Sequence, residues 1–327
     1  MAETGPGTEL DATLDAGIER WATPSVLLVA TDLTDLDHLM PFALEQAAES
    51  QARLILFHAL APGTAVTMDP AGTPYYDLAG VASFASATLE HGCQTARRHG
   101  IVCDALVREG GAAHQILTAV RQFRADRILL ATRSRSKLGR LLLGSVAEQV
   151  LRSVHLPVIT VGPEAHLPAD RAGGEPVVLH ATTLRETSRP SAALACKIAA
   201  ARKARLILLH VLPPVDEMQR QGMPTALDSL AMHEMRLLSA VTRTGCCLSV
   251  EPHVVHGNPA IEILAASAGH NAGLIILGAT QRSTFQNMTR DRVIYKVLAH
   301  ARCPVLTLRE PLPHPAEAET AHFPAQN

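Results

Sequence analysis

The chain matches itself at an offset of about 150 residues, and this repeat constrains its fold more than any other feature. VLLVATDL (26–33) answers VVLHATTL (177–184), and ARLILFHAL (52–60) answers ARLILLHVL (204–212). ADRILLATRSRS (125–136) answers AGLIILGATQRS (272–283), and LPVITV (156–161) answers CPVLTL (303–308). Matched segments in the same order make the chain two homologous domains. With 327 residues, 47% of them hydrophobic, each domain is long enough to bury its own core.

Within each copy, short runs of Val, Ile and Leu alternate with stretches of helical period, the pattern of a parallel sheet covered by helices on both faces. RLILF and RILLA show no polar alternation, as befits strands buried on both sides. In the first copy strands are predicted near 26–30, 53–59, 102–107, 127–131 and 157–161, and helices near 38–50, 83–99, 112–123 and 145–154. The fold class is α/β, two tandem doubly wound five-stranded parallel-sheet domains. GPEAHLPADRAGGEP (162–176), rich in Gly, Pro and polar residues, marks the boundary. The expected organisation is an N-terminal extension over 1–22, a first domain over 23–162, a linker over 163–175, a second domain over 176–309 and a mobile tail over 310–327.

A net charge of −2 and a pI near 6.8 give no global field for nucleic acid or an anionic membrane, so any anion must be bound locally. Aromatic residues make up 3%, too few to stack single-stranded nucleic acid. The six cysteines show no C-x-x-C pair and read as reduced, mostly buried thiols. The N-terminus lacks the basic start and apolar core of a signal peptide, and no run approaches a membrane span, so a cytoplasmic protein is expected.

ATDL ending the first strand, FHAL ending the second, EGGAAHQIL after the third and GRLLLGSVAEQVLRSVHLPVITV at the end resemble a universal stress protein, here in tandem form. The resemblance covers nearly the whole chain apart from its tails and linker. It implies an adenine nucleotide alpha-hydrolase-like fold with strand order 3-2-1-4-5 in each domain. It also implies pairing through the last strand, so that the two halves form an internal pseudo-dimer; a homodimer beyond that is left open.

The residues of ATRSRSKLGRLLLGSVAEQVL (131–151) suggest a ligand independently of any family. Ser145 opens an apolar-periodic helix with Glu148 in the third place after it, the pattern of a capping box. Gly144 allows close approach to the backbone, and Arg133, Arg135, Lys137 and Arg140 add positive charge to a helix N-terminus, which together make a phosphate site. The alternative is that Ser145 only caps its helix and the cations form a solvated loop. In an open doubly wound sheet the ligand crevice lies where strand order reverses, which sets Asp32 opposite the loop that begins at Ala131, Thr132 and Arg133.

In nucleotide-binding members of the family the phosphate loop reads G-x-x-G, nine residues, then G-[S/T]. The matching positions here are Ala131, Ser134, Gly144 and Ser145, so the spacing and the last pair are kept and both early glycines are gone. Strain of roughly 1 kcal/mol per position would weaken binding about tenfold without abolishing it. Arg133 stands where the family often has His and adds a permanent, two-pronged charge. The resemblance thus implies that ATP, ADP or AMP, with or without Mg, is bound by Ala30, Thr31, Asp32 and Ala59 from the first two strand ends and by Ala131, Arg133, Ser134, Gly144, Ser145 and Val146 from the phosphate loop and its helix. Asp32 would contact the adenosine part, or else only cap the turn in TDLTD; Ala59 would offer its backbone to the base, or else serve only as strand core.

In the second copy Thr183 replaces the first-strand acid, Gln281 the second glycine, and Asp291-Arg292 the pair Gly144-Ser145. A carboxylate at a helix N-terminus supplies an anion from inside the protein and repels a phosphate, so this domain is expected to bind no nucleotide and to serve structure or partner contacts. Catalytic signatures such as G-x-x-x-x-G-K-[ST], H-E-x-x-H and G-x-S-x-G are absent, no metal site is expected, and His58 and His210 read as structural. Three functions stay open. The first is a stress-response regulator binding an adenine nucleotide in its N-terminal domain and acting on an unknown protein partner. The second is a nucleotide-free interaction protein. The third is a weak ATP hydrolase using Asp32 or Asp35, the least favoured.

Overall fold

The computed structural model describes residues 17–61, 66–68, 71, 74–132, 143–167, 175–185, 188–214, 226–246, 249–280 and 293–310. The apolar runs of the first copy form β1 (Val26–Ala30), β2 (Arg53–Leu60), β5 (Cys103–Glu109), β6 (Arg127–Ala131) and β7 (Val158–Val161). Between them lie helices α1 (Leu36–Ser50), α2 (Leu78–Arg98), α3 (Ala112–Phe123) and α4 (Ser145–Ser153). The second copy repeats the plan with β8 (Val177–Ala181), α5 (Arg189–Ala201), β9 (Arg205–Leu212), α6 (Ala226–Cys246), β10 (Val250–His256), α7 (Pro259–Gly269), β11 (Leu274–Thr280), α8 (Val293–His300) and β12 (Val305–Glu310). One element pair was not expected: β3 (Val66–Met68) and β4 (Pro74–Tyr76) form an antiparallel hairpin between β2 and α2. A short helix at 17–22 precedes β1, and its Ile18 is buried in the core.

The main strands make one ten-stranded sheet in the order β10-β9-β8-β11-β12-β7-β6-β1-β2-β5. Each half therefore has the doubly wound order 3-2-1-4-5, all parallel within itself. Successive strand residues point to opposite faces. Leu27 and Val29 of β1 enter one core with residues of α1, α2, α5 and α6, while Leu28 and Ala30 enter a second core with α3, α4, α7 and α8. Both cores run across the two halves without a break.

That continuity arises at the junction, where β7 and β12 pair antiparallel with Thr160 opposite Val305 and Thr307 opposite Val158. The two threonines act reciprocally: Thr160 Oγ1 donates to Val305 O at 3.1 Å and Thr307 Oγ1 to Val158 O at 3.3 Å. Edge strands left bare would invite aggregation, and each here covers the other. Arg309 Nη1 donates to Arg152 O at 2.6 Å, and Arg202 pairs with Glu49 at 2.7 Å.

Gly162 closes the first half, accepting a hydrogen bond at its carbonyl from His38 Nε2 at 2.9 Å. A methyl group on Gly162 would stand 2.8 Å from Leu298 O in the other half, against backbone that cannot move aside alone. Gly162→Ala is expected to cost about 1–3 kcal/mol by overpacking this seam. A lower urea midpoint at unchanged m-value would read that cost; an unchanged midpoint would show that the seam yields freely.

One expectation about cysteines is corrected. Cys196 of α5 is disulfide-bonded, whereas Cys93, Cys103 and Cys303 are free and buried. No local spacing signals that bond, because the next cysteines, Cys246 and Cys247, follow only after β9 and most of α6. Among the described residues no helix is long and apolar enough to cross a membrane. The tail beyond 310 lies outside the described residues.

Candidate functional site

In the first half the strand order reverses between β1 and β6, since the chain leaves β1 for β2 on one side and later returns to β6 on the other. A crevice at the carboxyl ends of these two strands follows from that topology. Its first wall is the turn after β1. Thr31 N continues the sheet by donating to Phe57 O at 3.0 Å, and Thr31 Oγ1 accepts from Leu33 N at 2.9 Å. Leu33 is thereby held at a φ of 73°, a left-handed conformation that a leucine adopts only when its surroundings impose it. Leu184 repeats it at 60°, with Leu184 N donating to Thr182 Oγ1 at 3.1 Å.

Asp32 and Asp35 divide the labour in this turn. Asp32 Oδ1 accepts from Thr34 N at 2.9 Å, Thr34 Oγ1 at 2.6 Å and Asp35 N at 3.2 Å, which fixes an exposed carboxylate at the lip of the crevice. These bonds fix the orientation of the group. Asp35 is buried, and its Oδ1 accepts from Thr31 Oγ1 at 2.5 Å and from Asp32 N at 3.2 Å. Burial raises its pKa, an effect that the Thr31 hydrogen bond partly offsets. Asp35 Oδ1 is thus engaged within the turn.

His58 Nδ1 meets Thr31 O at 2.9 Å, and His210 Nδ1 meets Thr182 O at 2.9 Å. A carbonyl only accepts, so in each case Nδ1 carries the proton. The two histidines tie the second strand of each half to the end of its first strand. Their repetition reflects this shared structural duty, and among the described residues no group of three or more His, Cys, Asp or Glu could hold a metal ion.

The second wall follows β6. Ala30 and Thr31 are buried and Ala59 and Ala131 half-buried at the strand ends, while Thr132 N donates to Val161 O at 3.1 Å. Arg133 and Ser134, with Arg135, Lys137 and Arg140, lie outside the described residues. At the far end of that loop the capping box is not formed. Gly144, at φ −63° and ψ 146°, is itself the N-cap, and the helix begins one position earlier than the box requires, with Ser145 as its first residue. A glycine N-cap has no side chain to give, and Glu148 is drawn away to Arg152 at 2.6 Å. Burial, followed by the Glu148 carboxylate, raises the pKa of the Tyr295 hydroxyl. Among the described residues no side chain caps α4, and Ser145 and Val146 stand exposed at its positive end.

The rear half keeps the turn and loses the charge. Thr183, in the place of Asp32, bonds its hydroxyl to Ser188 Oγ at 2.7 Å. Gln281, Asp291 and Arg292 lie outside the described residues.

A model of the universal stress protein family matches residues 25–162 and again 176–309. A universal stress protein of Mycolicibacterium smegmatis is 25% identical over 311 residues, covering 88% of this chain and 98% of that protein. The crystal structure of a universal stress protein from Archaeoglobus fulgidus covers 89% of this chain and 98% of its own at a TM-score of 0.68 and 18% identity. That of a putative universal stress protein from Pseudomonas aeruginosa covers 90% and 95% at a TM-score of 0.59 and 17% identity. The structural likenesses establish the fold.

Proposed function

The chain belongs to the universal stress protein family, and on that premise we propose that its N-terminal domain binds one adenine nucleotide, ATP, ADP or AMP, while its C-terminal domain binds none. The observation that carries this reading is the α4 N-terminus, uncapped by any side chain among the described residues and standing across the strand-order reversal from the oriented Asp32 carboxylate. Free backbone N–H groups and the partial positive charge of a helix end suit phosphate oxygens, and a carboxylate suits ribose hydroxyls. In this assignment Asp32 takes the ribose, the Ala59 backbone the base edge, and Ser145, Val146 and Arg133 the phosphates. Ala30, Thr31, Ala131, Ser134 and Gly144 shape the floor that the ligand approaches. Magnesium, if it accompanies ATP, would ride on the phosphates, since no cluster of ligating side chains for it occurs among the described residues.

The bound nucleotide would alter a surface offered to a protein partner, in the cytoplasm, in the manner of a stress-response regulator. The domain boundaries we propose are 23–162 and 176–309, between the extension over 1–22, the linker over 163–175 and the tail over 310–327. A nucleotide-free interaction protein is the second reading, favoured by Ala131 and Ser134 where nucleotide-binding relatives carry glycine.

Fluorescence titration of the full chain with ATP, ADP and AMP separates the two. The first reading expects saturable binding that weakens about tenfold or more in Asp32→Ala, the loss of a hydrogen bond to a charged group. The second expects no saturable signal from either protein. Phosphate release on adding ATP and magnesium tests the weak hydrolase reading, for which we expect none above background.

A further inference from the structure

Cys93 and Cys103 face each other with their sulfurs 2.7 Å apart, and both are free and buried. Cys93 stands near the end of α2, and Cys103 opens β5, the outer edge strand of the front half. The segment between them turns sharply through Gly100 at a φ of 76°, with Ile101 N donating to Ala96 O at 3.1 Å, and this turn sets the two thiols opposite each other. Arg97, one helical turn after Cys93, donates from Nη2 to Cys103 O at 2.7 Å and places its charge beside the pair.

Packing alone does not explain the thiol of Cys103. In the rear half Val250 opens β10 opposite Leu206, just as Cys103 opens β5 opposite Leu54, so an apolar side chain satisfies the same place in the fold. The pair is also asymmetric. The hydrogen bond between the two thiols favours the thiolate of Cys93, followed by the Arg97 charge, whereas the same bond and burial push the Cys103 thiol far up. Gly92, next to Cys93 in α2, lines a groove of about 660 Å³ between α1 and α2 together with Leu36, Met40, His91 and Thr95.

We propose that Cys93 and Cys103 are a peroxide-responsive thiol pair that closes reversibly to a disulfide, tying the end of α2 to the start of β5. The Cys93 thiolate attacks one oxygen of hydrogen peroxide; the S–O bond forms as the O–O bond breaks, and the hydroxide released takes the former Cys93 proton and leaves as water. The sulfur of Cys103 then attacks the Cys93 sulfenic acid, forming S–S as S–O breaks, and its proton departs with that hydroxide as a second water. Two thiols lose two electrons, and one peroxide becomes two waters.

The test uses the full chain treated with hydrogen peroxide, blocked with an alkylating agent and digested with trypsin without reduction. Trypsin cleaves after Arg97 and Arg98, between the two cysteines, so a closed pair holds two peptides together. The expected result is a joined Cys93–Cys103 species at least about tenfold more abundant than before treatment and separated by dithiothreitol. Recovery of the two peptides apart, each alkylated, or of Cys93 as a sulfinic acid, or joined to a different cysteine, would overturn the proposal. In Cys103→Ser the Cys93 sulfenic acid should accumulate and label with dimedone several-fold above wild type; labelling no higher than wild type would overturn the roles assigned to the two thiols.

Discussion

Gly144→Asp is expected to weaken adenine nucleotide binding about a thousandfold while leaving the melting temperature unchanged or slightly raised. Gly144 occupies the N-cap of α4 at φ −63° and ψ 146°, a conformation open to any residue, and aspartate is among the best N-caps. The new carboxylate would bond the free N–H groups of the first turn and stabilise the helix by up to about 1 kcal/mol. A phosphate seeking those same groups would meet a like charge at about 4 Å, a repulsion of about 4 kcal/mol at an effective dielectric near 20. This exceeds the helix end's contribution of roughly 0.3–2 kcal/mol. Opposite signs for fold and ligand make the substitution informative: calorimetry of binding and thermal melting of the same sample should diverge. Unchanged affinity would mean that the phosphates do not lie at this helix end. The substitution also copies the rear copy, where the sequence sets Asp291 at the matching position.

The second large effect concerns acid. His180 lies wholly buried in β8, where the first copy has Val29 in β1. Its Nδ1 donates to Ile276 O at 3.1 Å, and its Nε2 has no hydrogen-bond partner among the described residues. Burial, only partly offset by that hydrogen bond, lowers its pKa from 6.5 to about 4. Between these values the unfolded chain holds a proton that the folded chain refuses, so stability falls as pH drops from 6.5 towards 4. The loss attributable to this one group is about 2 kcal/mol at pH 5 and roughly 3 kcal/mol once both values are passed.

His180→Val should remove that loss, so that the gap between the urea midpoints of variant and wild type widens as the pH is lowered from 7 to 4.5. Asp35 works in the opposite direction, because its raised folded pKa makes protonation favour the folded state. It is common to both proteins, and the difference between them isolates His180. A gap that stays constant with pH would show that His180 does not remain neutral in the folded core.

Much of this architecture was legible because the chain states its plan twice. RLILF and RILLA carry the doubly buried strand signal, and each became a central strand facing the two cores by turns. What escaped had no periodic signal. VTM and PYY are three-residue strands, too short to show alternation. The start of α2 at Leu78 depends on Asp77, whose Oδ1 accepts from Gly80 N at 2.8 Å, ahead of the apolar pattern from which the helix was read. At the site, Asp32 was legible as a residue at the right strand end, but the way its Oδ1 is shared among Thr34 and Asp35 depends on a left-handed Leu33 that only the folded turn imposes. The capping box failed for a similar reason. SVAE has the right spelling, yet Gly144 takes the cap and Arg152 claims Glu148 from one turn further along α4.

The central claim is that the front half receives phosphate at a helix end left without a side-chain cap and the rear half does not. A density map of the full chain crystallised with excess ATP tests it most directly. The account expects nucleotide at the carboxyl ends of β1 and β6, with phosphate oxygens within hydrogen-bond distance of the Ser145 and Val146 amides and the ribose beside Asp32, and only solvent beyond β8 and β11. Solvent alone at the front crevice, or nucleotide in the rear one, would contradict it.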